Sequence, residues 1–251
     1  MPGPSTTHLV LLPSYNSGQM LPRVAEAVAG RWLPVWVVID ASTDGSGELL
    51  DPLLERNPHV RRIVLPKNSG KGGAVLEGMK VALAEGFTHV LVMDADGQHS
   101  VEAVEPFMAR SMQEPDAMLL GEPIFGPDAP PERVKGRRVG NWWANLATLW
   151  GGIHDSLFGF RVYPIRESVE IMESIRTARR FDFDTELAVR LYWRGVRPIN
   201  IPVPVTYPPR EEGGVTHFSY LRDNLLLVST HTRLFFGMLL RLPRLLARRL
   251  R

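Results

Sequence analysis

Two carboxylates one residue apart follow an apolar run near the middle of the chain. The run Val90–Met93 is typical of a buried parallel strand, and Asp94 and Asp96 come directly after it. Since burying an unpaired charge is costly, we expect these acids where the strand leaves the sheet, which is where open α/β sheets bind ligands. With the amide of Gln98 they form an oxygen-rich ligand set suited to Mg²⁺ or Mn²⁺, usually completed by substrate phosphates. The same pattern is also compatible with a strand that ends in a solvated Asp-Gly turn.

The elements that must position these acids alternate between strands and helices. Apolar runs predict three further strands at Leu9–Leu12, Val35–Ile39 and Ile63–Leu65, with segments of helical spacing between successive strands. This alternation predicts an α/β fold with a parallel sheet built from right-handed crossovers. Three polar loops should then converge at the carboxyl edge of the sheet, namely Pro13–Asn16, Asp40–Asp44 and Asp94–His99.

The second half of the chain has a looser pattern. It predicts helices over 101–112, 137–150, 167–175 and 185–194, strands at 117–120 and 160–163, a proline-rich mobile loop at 121–134, and a proline-punctuated edge strand at 198–207. Trp142 and Trp143 are expected to belong to the core rather than to a sugar platform.

Composition limits the class of protein. The chain has 251 residues, 44% hydrophobic and 22% charged, which fits one α/β domain of ordinary composition. It contains no cysteine, so disulfides and thiolate metal sites are excluded. The first residues show no basic segment followed by an apolar one, and we therefore expect no signal peptide.

The last thirty residues hold seven arginines and one acid, Asp223. Pro243 and charged residues interrupt the apolar runs, so no clean membrane span of about 20 residues is present. At about 100° per residue, most arginines cluster on one sector opposite a broad apolar one. The pattern predicts a domain over 1–215 and a basic amphipathic tail over 216–251 that lies peripherally on a membrane. A helix packed on the domain, with its arginines in water, is the alternative; the aliphatic content disfavours nucleic acid.

Several motifs together resemble a known family. The segments Pro13–Asn16, Asp40–Ser46, Asn68–Gly72 and Asp94–His99, continued by Asp155–Arg161 and Phe183–Glu186, have the order and spacing of family-2 glycosyltransferases. The chain is most similar to the branch that transfers sugars to polyprenyl or dolichyl phosphate. The resemblance covers roughly residues 8 to 210.

The resemblance implies a GT-A fold and transfer, with inversion, from a nucleotide-diphosphate sugar. The residues that it implies around this donor are Pro13, Tyr15, Asn16, Asp40, Asp44, Lys71 and Asp94. Within that set Asp40 would hydrogen-bond the base, and Lys71 would lie by the nucleotide or its phosphates. The metal, Mg²⁺ or Mn²⁺, would bind Asp94, Asp96 and Gln98.

On the acceptor side the resemblance implies Asp155 beside the reacting carbon and Arg137 or Arg138 at an anionic group. A hydroxyl acceptor needs a base, and Asp155 or Glu186 could serve. A phosphate acceptor is already ionised near pH 7 and needs cationic positioning instead. Glu186 could equally cap the helix that follows it. The resemblance and the basic tail together imply a lipid-linked acceptor, such as a polyprenyl phosphate, at the cytoplasmic membrane face.

The chain departs from the family at three places. Ile39 replaces an acid, Gly121-Glu122-Pro123 stands where Gly-Ser-Arg is common, and C-terminal transmembrane helices are missing.

A sugar-phosphate nucleotidyltransferase is an alternative, but such enzymes normally have a glycine- and arginine-rich loop after the first strand. An inactive membrane-bound scaffold is another, disfavoured by the complete metal-ligand set. A P-loop is excluded because Gly72, not Ser or Thr, follows Lys71.

Overall fold

The computed structural model describes residues 3–126, 131–206 and 220–249, which are organised around one seven-stranded sheet. Its strands are β1 (His8–Ser14), β2 (Val35–Ile39), β3 (Val60–Val64), β4 (His89–Val92), β5 (Ala117–Phe125), β6 (Arg161–Pro164) and β7 (Arg197–Val205). The strand order is β3-β2-β1-β4-β6-β5-β7, and β6 runs antiparallel to both of its neighbours. The sheet is thus mostly parallel, as the alternation of elements predicts.

Helices cover both faces of this sheet. They are α1 (Met20–Ala29), α2 (Asp51–Arg56), α3 (Lys71–Ala84), α4 (Val104–Gln113), α5 (Pro131–Ala147), α6 (Ile165–Ser174), α7 (Phe183–Arg194), α8 (Tyr220–Leu239) and α9 (Leu242–Arg249). One apolar core lies between the sheet and α1 and α4, and the other lies between the sheet and α3, α6 and α7. Every residue of β1 and β2 is buried because helices cover both faces, which explains their unbroken apolar runs.

The strand β5 corrects the prediction of a loop from residue 121. It continues to Phe125 because β7 pairs with it in parallel along its whole length, from Ala117 opposite Arg197 to Phe125 opposite Val205. Residues 127–130 of that predicted loop lie outside the described residues, and residues 131–134 form the first turn of α5 instead. The prediction that β7 forms an edge is confirmed, since β7 is the last strand in the sheet; Tyr207, at the end of the predicted strand, lies outside the described residues.

The two C-terminal helices pack on the rest of the fold. Leu234 and Met238 of α8 and Leu245 of α9 are buried in the core that also contains α7. The division of the chain near residue 215 stays a prediction. Over the described ranges, no single helix has the length and hydropathy to cross a bilayer. The segments 224–239 and 242–248, whose axes meet at a bend of 74°, are together long and apolar enough by length and composition alone.

The expectation that Trp142 and Trp143 are core residues is wrong. Their side chains are 50% and 36% exposed on the outer side of α5. Helical spacing identifies residues on a common face, but it does not identify which face the domain covers.

Candidate active site

The first two polar loops are joined at the carboxyl ends of β1 and β2. The side chain of Asn16 accepts a hydrogen bond from the Thr43 amide at 2.8 Å, and Asp44 accepts one from the Gly18 amide at 2.9 Å. Asn16 has a φ of 48°, a left-handed conformation that asparagine tolerates. Pro13 is buried within β1, and Tyr15 is partly exposed at the rim. The predicted nucleotide-binding residues therefore do lie together along this edge.

Asp40 connects this edge to the glycine-rich loop that precedes α3. Its carboxylate accepts hydrogen bonds from the amides of Ser69 and Gly70 at 2.7 and 2.8 Å and from the Ser69 hydroxyl at 2.9 Å. Gly70 has a φ of 78°, which few other residues adopt without strain. In this arrangement Asp40 holds the loop in place, and its contact with a nucleotide base stays a prediction.

Lys71, the first residue of α3, lies between two carboxylates. Its ammonium is 2.6 Å from Asp94 Oδ1 and 3.1 Å from Asp184 Oδ2. Burial works against the charge of Lys71, but the two acids outweigh it and raise its pKa. Burial likewise opposes ionisation of Asp94, yet the Lys71 charge outweighs it and lowers the pKa of Asp94. A Cβ on Gly159 would come within 2.6 Å of both Lys71 Nζ and Asp94 Oδ2, so this position needs a glycine.

Asp184 completes the group as the more deeply buried acid. Burial raises the pKa of Asp184, while the charges of Lys71 and Arg161 oppose that shift. Arg161 is fully buried and donates to the carbonyl oxygens of Phe158, Asp184 and Asp155 at 2.6 to 3.0 Å. The guanidinium therefore holds the loop 155–159 against the start of α7.

Asp96 differs from Asp94 in its electrostatic surroundings. It is partly exposed, and one of its oxygens accepts a hydrogen bond from the Gln98 amide at 3.0 Å. Desolvation and the neighbouring Asp94 charge raise the pKa of Asp96 to about 6. Over the ranges that the structure describes, Asp96 makes no ion pair. A carboxylate whose charge is not neutralised by the protein fits a site for a cation.

A metal ion at Asp96 would not be enclosed by protein ligands alone. Among the described residues, no group of three or more His, Asp or Glu side chains is arranged to hold one. Mg²⁺ and Mn²⁺ are commonly held by one or two carboxylates and by substrate phosphates, so the donor set here fits an ion that arrives with a diphosphate.

His99 lies beneath the two acids and supports Asp94. Its Nδ1 accepts a hydrogen bond from the Asp94 amide at 3.2 Å, which places its proton on Nε2, 3.9 Å from Asp94 Oδ2. The rings of Phe158 and Phe160 contact it edge-on. Burial lowers the pKa of His99 to about 4, so the ring is neutral and orients Asp94.

Asp155 and Arg137 meet near Asp94, close enough for the Arg137 charge to act on it. Asp155 Oδ1 accepts from the amides of Leu157 and Phe158 at 2.9 and 2.7 Å, and Arg137 Nη1 lies 3.5 Å away. The Arg137 guanidinium lies over the rings of Phe125 and Phe158, and its charge contributes to the low pKa of Asp94. The two sets of residues therefore share one electrostatic environment.

Comparison with known proteins identifies the family. The sequence profile described as Glycosyl transferase family 2 matches residues 9–170. The chain belongs to glycosyl transferase family 2. The polyprenol monophosphomannose synthase of Mycolicibacterium smegmatis is 31% identical over 226 residues, which cover 84% of this chain and 80% of that relative. The undecaprenyl-phosphate mannosyltransferase of Micrococcus luteus is 27% identical over 221 residues, covering 82% of this chain and 85% of the relative.

Solved glycosyltransferase structures share the fold. The glucosyl-3-phosphoglycerate synthase of Mycobacterium tuberculosis, solved with Mn²⁺, UDP-glucose and phosphoglyceric acid, gives a TM-score of 0.61 at 16% identity over 94% of this chain and 79% of that one. A mannosyltransferase of Pyrobaculum calidifontis, solved with GDP-mannose and Mn²⁺, gives 0.56 at 17% identity over 83% of this chain and 60% of that one. The predicted GT-A fold is confirmed, as is the resemblance to the lipid-phosphate branch.

Two of the predicted site residues of this glycosyltransferase have surroundings that do not fit their predicted roles. Glu186 is fully buried, and its oxygens pair with Arg190 and Arg233, each at 2.7 Å. These ion pairs favour a role in joining α7 to α8, and the role of base stays a prediction. Arg138 is exposed, about 100° further round α5 than Arg137. Of the two arginines, only Arg137 contacts Asp155.

The pairing of Lys71 with Asp184 was missed by sequence reasoning in this glycosyltransferase. The two residues are 113 positions apart in the chain. A lysine in a glycine-rich loop and an Asp-x-Glu motif were both visible, but the sequence contains no local signal that joins them.

Proposed function

We propose that the protein transfers a sugar from a nucleotide-diphosphate sugar to the phosphate of a polyprenyl-phosphate lipid, with inversion at the anomeric carbon, at the cytoplasmic face of a membrane. The observation that carries the proposal is the position of the loop 155–159, whose Asp155 pairs with Arg137 and whose Gly159 lies against Lys71 and Asp94. Two relatives support the acceptor class, one named for making polyprenol monophosphomannose and the other for mannosyl transfer with undecaprenyl phosphate.

The donor side supports this reaction through charge. In our proposal Asp94, Asp96 and Gln98 would hold Mg²⁺ or Mn²⁺ together with the donor diphosphate. Such an ion neutralises the charge that develops on the leaving diphosphate. Lys71 keeps Asp94 ionised and oriented, and the Asp40-bound loop and the rim residues Tyr15 and Asn16 hold the nucleotide.

On the acceptor side Arg137 supplies the positive charge. Glu122, in the segment where Gly-Ser-Arg is common in this branch, pairs with His154 at 2.9 Å. An ionised acceptor phosphate would attack the anomeric carbon as the bond to the diphosphate breaks, and it needs no base. Asp155, already bound by two backbone amides, then positions Arg137 rather than removing a proton. A hydroxyl acceptor would require Asp155 as the base instead.

The test is transfer by the full chain. UDP-, GDP-, dTDP- and CDP-sugars are incubated with Mn²⁺ and a polyprenyl phosphate, and the glycolipid and released nucleoside diphosphate are measured. Asp96→Asn should reduce turnover at least about 100-fold, because the charge that holds the ion is lost. Asp116→Asn, at an exposed acid on the other side of the molecule, is the matched control.

Other outcomes would identify the alternatives. Transfer to sugar or lipid hydroxyls but not to polyprenyl phosphate would overturn the acceptor assignment. Pyrophosphate release from a nucleoside triphosphate would favour a nucleotidyltransferase. Nucleotide-sugar binding without turnover for any acceptor would favour a scaffold, and near-normal turnover of Asp96→Asn would contradict the metal assignment.

A further inference from the structure

A continuous run of five aromatic rings lies across the outer side of α5 and α8. We call it the aromatic ridge, formed by Trp150, Trp142, Trp143, Phe235 and Phe236. Successive ring centroids are 6.4, 5.0, 6.2 and 5.6 Å apart. Trp142, Trp150 and Phe236 are 50%, 56% and 60% exposed. An exposed aromatic surface of this kind marks an interaction site in a soluble domain.

Aliphatic side chains extend the ridge along α8. Leu225, Val228, Phe236 and Leu239 are all exposed, and their spacing places them on one face of the helix. On α5, Val139 is exposed one turn before Trp142 and Trp143. The apolar surface is therefore contiguous over two helices that pack against each other.

Three of the described arginines of the tail contact helix α7. Arg233 pairs with Glu186 of α7 at 2.7 Å. The guanidinium of Arg241 lies 4.7 Å from the ring centre of Trp193, which is also on α7. Arg248 lies over Tyr192 at 5.4 Å. These three arginines of the expected basic sector are therefore directed towards the protein, whereas the four exposed apolar side chains of α8 are directed outwards.

We propose that the aromatic ridge and the α8 stripe insert into the boundary between headgroups and acyl chains of a lipid bilayer. This insertion would produce the membrane association that the proposed function requires. Only the identity of the lipid acceptor rests on the proposed function. Apolar insertion, rather than attraction of arginines to anionic lipids, supplies the binding free energy.

Two features favour a bilayer over a second protein chain. Tryptophan has an apolar ring with one polar N–H, which suits the interface between lipid and water, and three of the six tryptophans are in this ridge. Arg137 also precedes Trp142 on α5 by a rise of only about 7 Å and lies about 140° round the helix from it, so the acceptor side is within about one helix diameter of the ridge. An acceptor phosphate at Arg137 would then lie near headgroup depth while its chain stays in the bilayer.

The test uses the full chain and vesicles of phosphatidylcholine with and without phosphatidylglycerol. We expect wild type to bind neutral vesicles and to remain bound at about 0.5 M NaCl, where charge attraction is screened within a few ångströms. The double variant Trp142→Ser/Phe236→Ser should reduce the partition coefficient at least about tenfold, the effect of losing one large buried side chain. Val64→Ser/Met112→Ser is the matched control, because Val64 and Met112 have similar exposure elsewhere.

Tryptophan fluorescence tests the proposal on the wild-type protein, so the result does not depend on whether a variant folds. Brominated lipids should quench part of the tryptophan emission of wild type, because Trp142, Trp143 and Trp150 enter the bilayer while the buried Trp36 and Trp193 do not. Absence of quenching in vesicle-bound wild type would overturn the proposal.

Two further results would also overturn it. One is binding that requires phosphatidylglycerol and is lost at high salt, since this would assign it to the arginines. The other is a wild-type dimer, without vesicle binding, that the double variant converts to a monomer, which would assign the ridge to a second copy. Failure of wild type to glycosylate any acceptor, including a short water-soluble prenyl phosphate, would refute the proposed function and leave the vesicle result standing.

Discussion

The carboxyl edge of the sheet and the aromatic ridge depart from the usual distribution of buried and exposed residues in opposite directions. At the sheet edge Asp184 and Arg161 are buried and the Lys71 side chain is only 9% exposed, although such residues are normally exposed. On the ridge Trp142 and Phe236 are exposed, although large apolar residues are normally buried. A buried charge is tolerated when it is paired and hydrogen-bonded, and an exposed apolar surface is tolerated when something else covers it. The two exceptions mark the two surfaces at which we propose chemistry and docking.

The largest expected effect is at the sheet edge, in Lys71→Met. Without the ammonium, Asp94 and Asp184 lose their shared partner, and we expect turnover to fall at least about 100-fold as the site loses its orientation. The apoprotein should bind Mn²⁺ about tenfold more tightly, because the site becomes more negative. Calorimetric titration and the transfer assay measure the two effects, with Lys80→Met on the exposed side of α3 as the control. Unchanged turnover would show that the ion pair serves only the fold.

Arg161→Met tests how far the sheet edge depends on paired charge for stability. It leaves three buried carbonyl oxygens without their donor, and we expect the free energy of unfolding to fall by about 3–5 kcal/mol in urea titrations. Arg194→Met removes an exposed pair with Glu170 and should cost less than about 1 kcal/mol. Equal losses would contradict the distinction between the two environments.

Glu186→Gln tests the link between the two surfaces. The carboxylate joins Arg190 of α7 to Arg233 of α8, so its loss should lower the free energy of unfolding by about 1–3 kcal/mol while kcat changes less than about threefold. Thermal unfolding and steady-state kinetics distinguish a structural role of Glu186 from the role of a catalytic base. A fall in kcat of more than about 100-fold with stability retained would instead support Glu186 as the base.

The smallest effect is expected at the opposite edge of the sheet, where His8 and His89 stack with ring centres 4.6 Å apart. Burial, and secondly the charge of His89, lowers the pKa of His8 to about 4. The unfolded chain therefore binds more protons from about pH 6.5 downwards, and stability is lost as the pH falls through that window. Between pH 7.5 and 5.5 we expect wild type to lose about 1 kcal/mol more than His8→Gln in urea titrations. Identical pH dependence in the two proteins would contradict a neutral buried pair.

Much of the fold could be predicted because parallel strands are buried on both faces and their apolar runs are unbroken. This applies to β1, β2 and β4. The strand β5 was predicted too short, because its last residues are strand only through their pairing with β7. Pairing between distant segments has no signature within the segment itself.

At the site, the sequence by itself determined the acid pair at 94 and 96 and the loops that converge on it, since a buried strand must end before a charge can be tolerated. Only the tertiary structure decided that Lys71 pairs with Asp184, that Glu186 faces Arg233, and that the tryptophans of α5 point outwards. Periodicity shows which residues share a face of a helix. Which face is covered depends on contacts with segments that are far away in the chain, and those contacts exist only once the whole chain has folded.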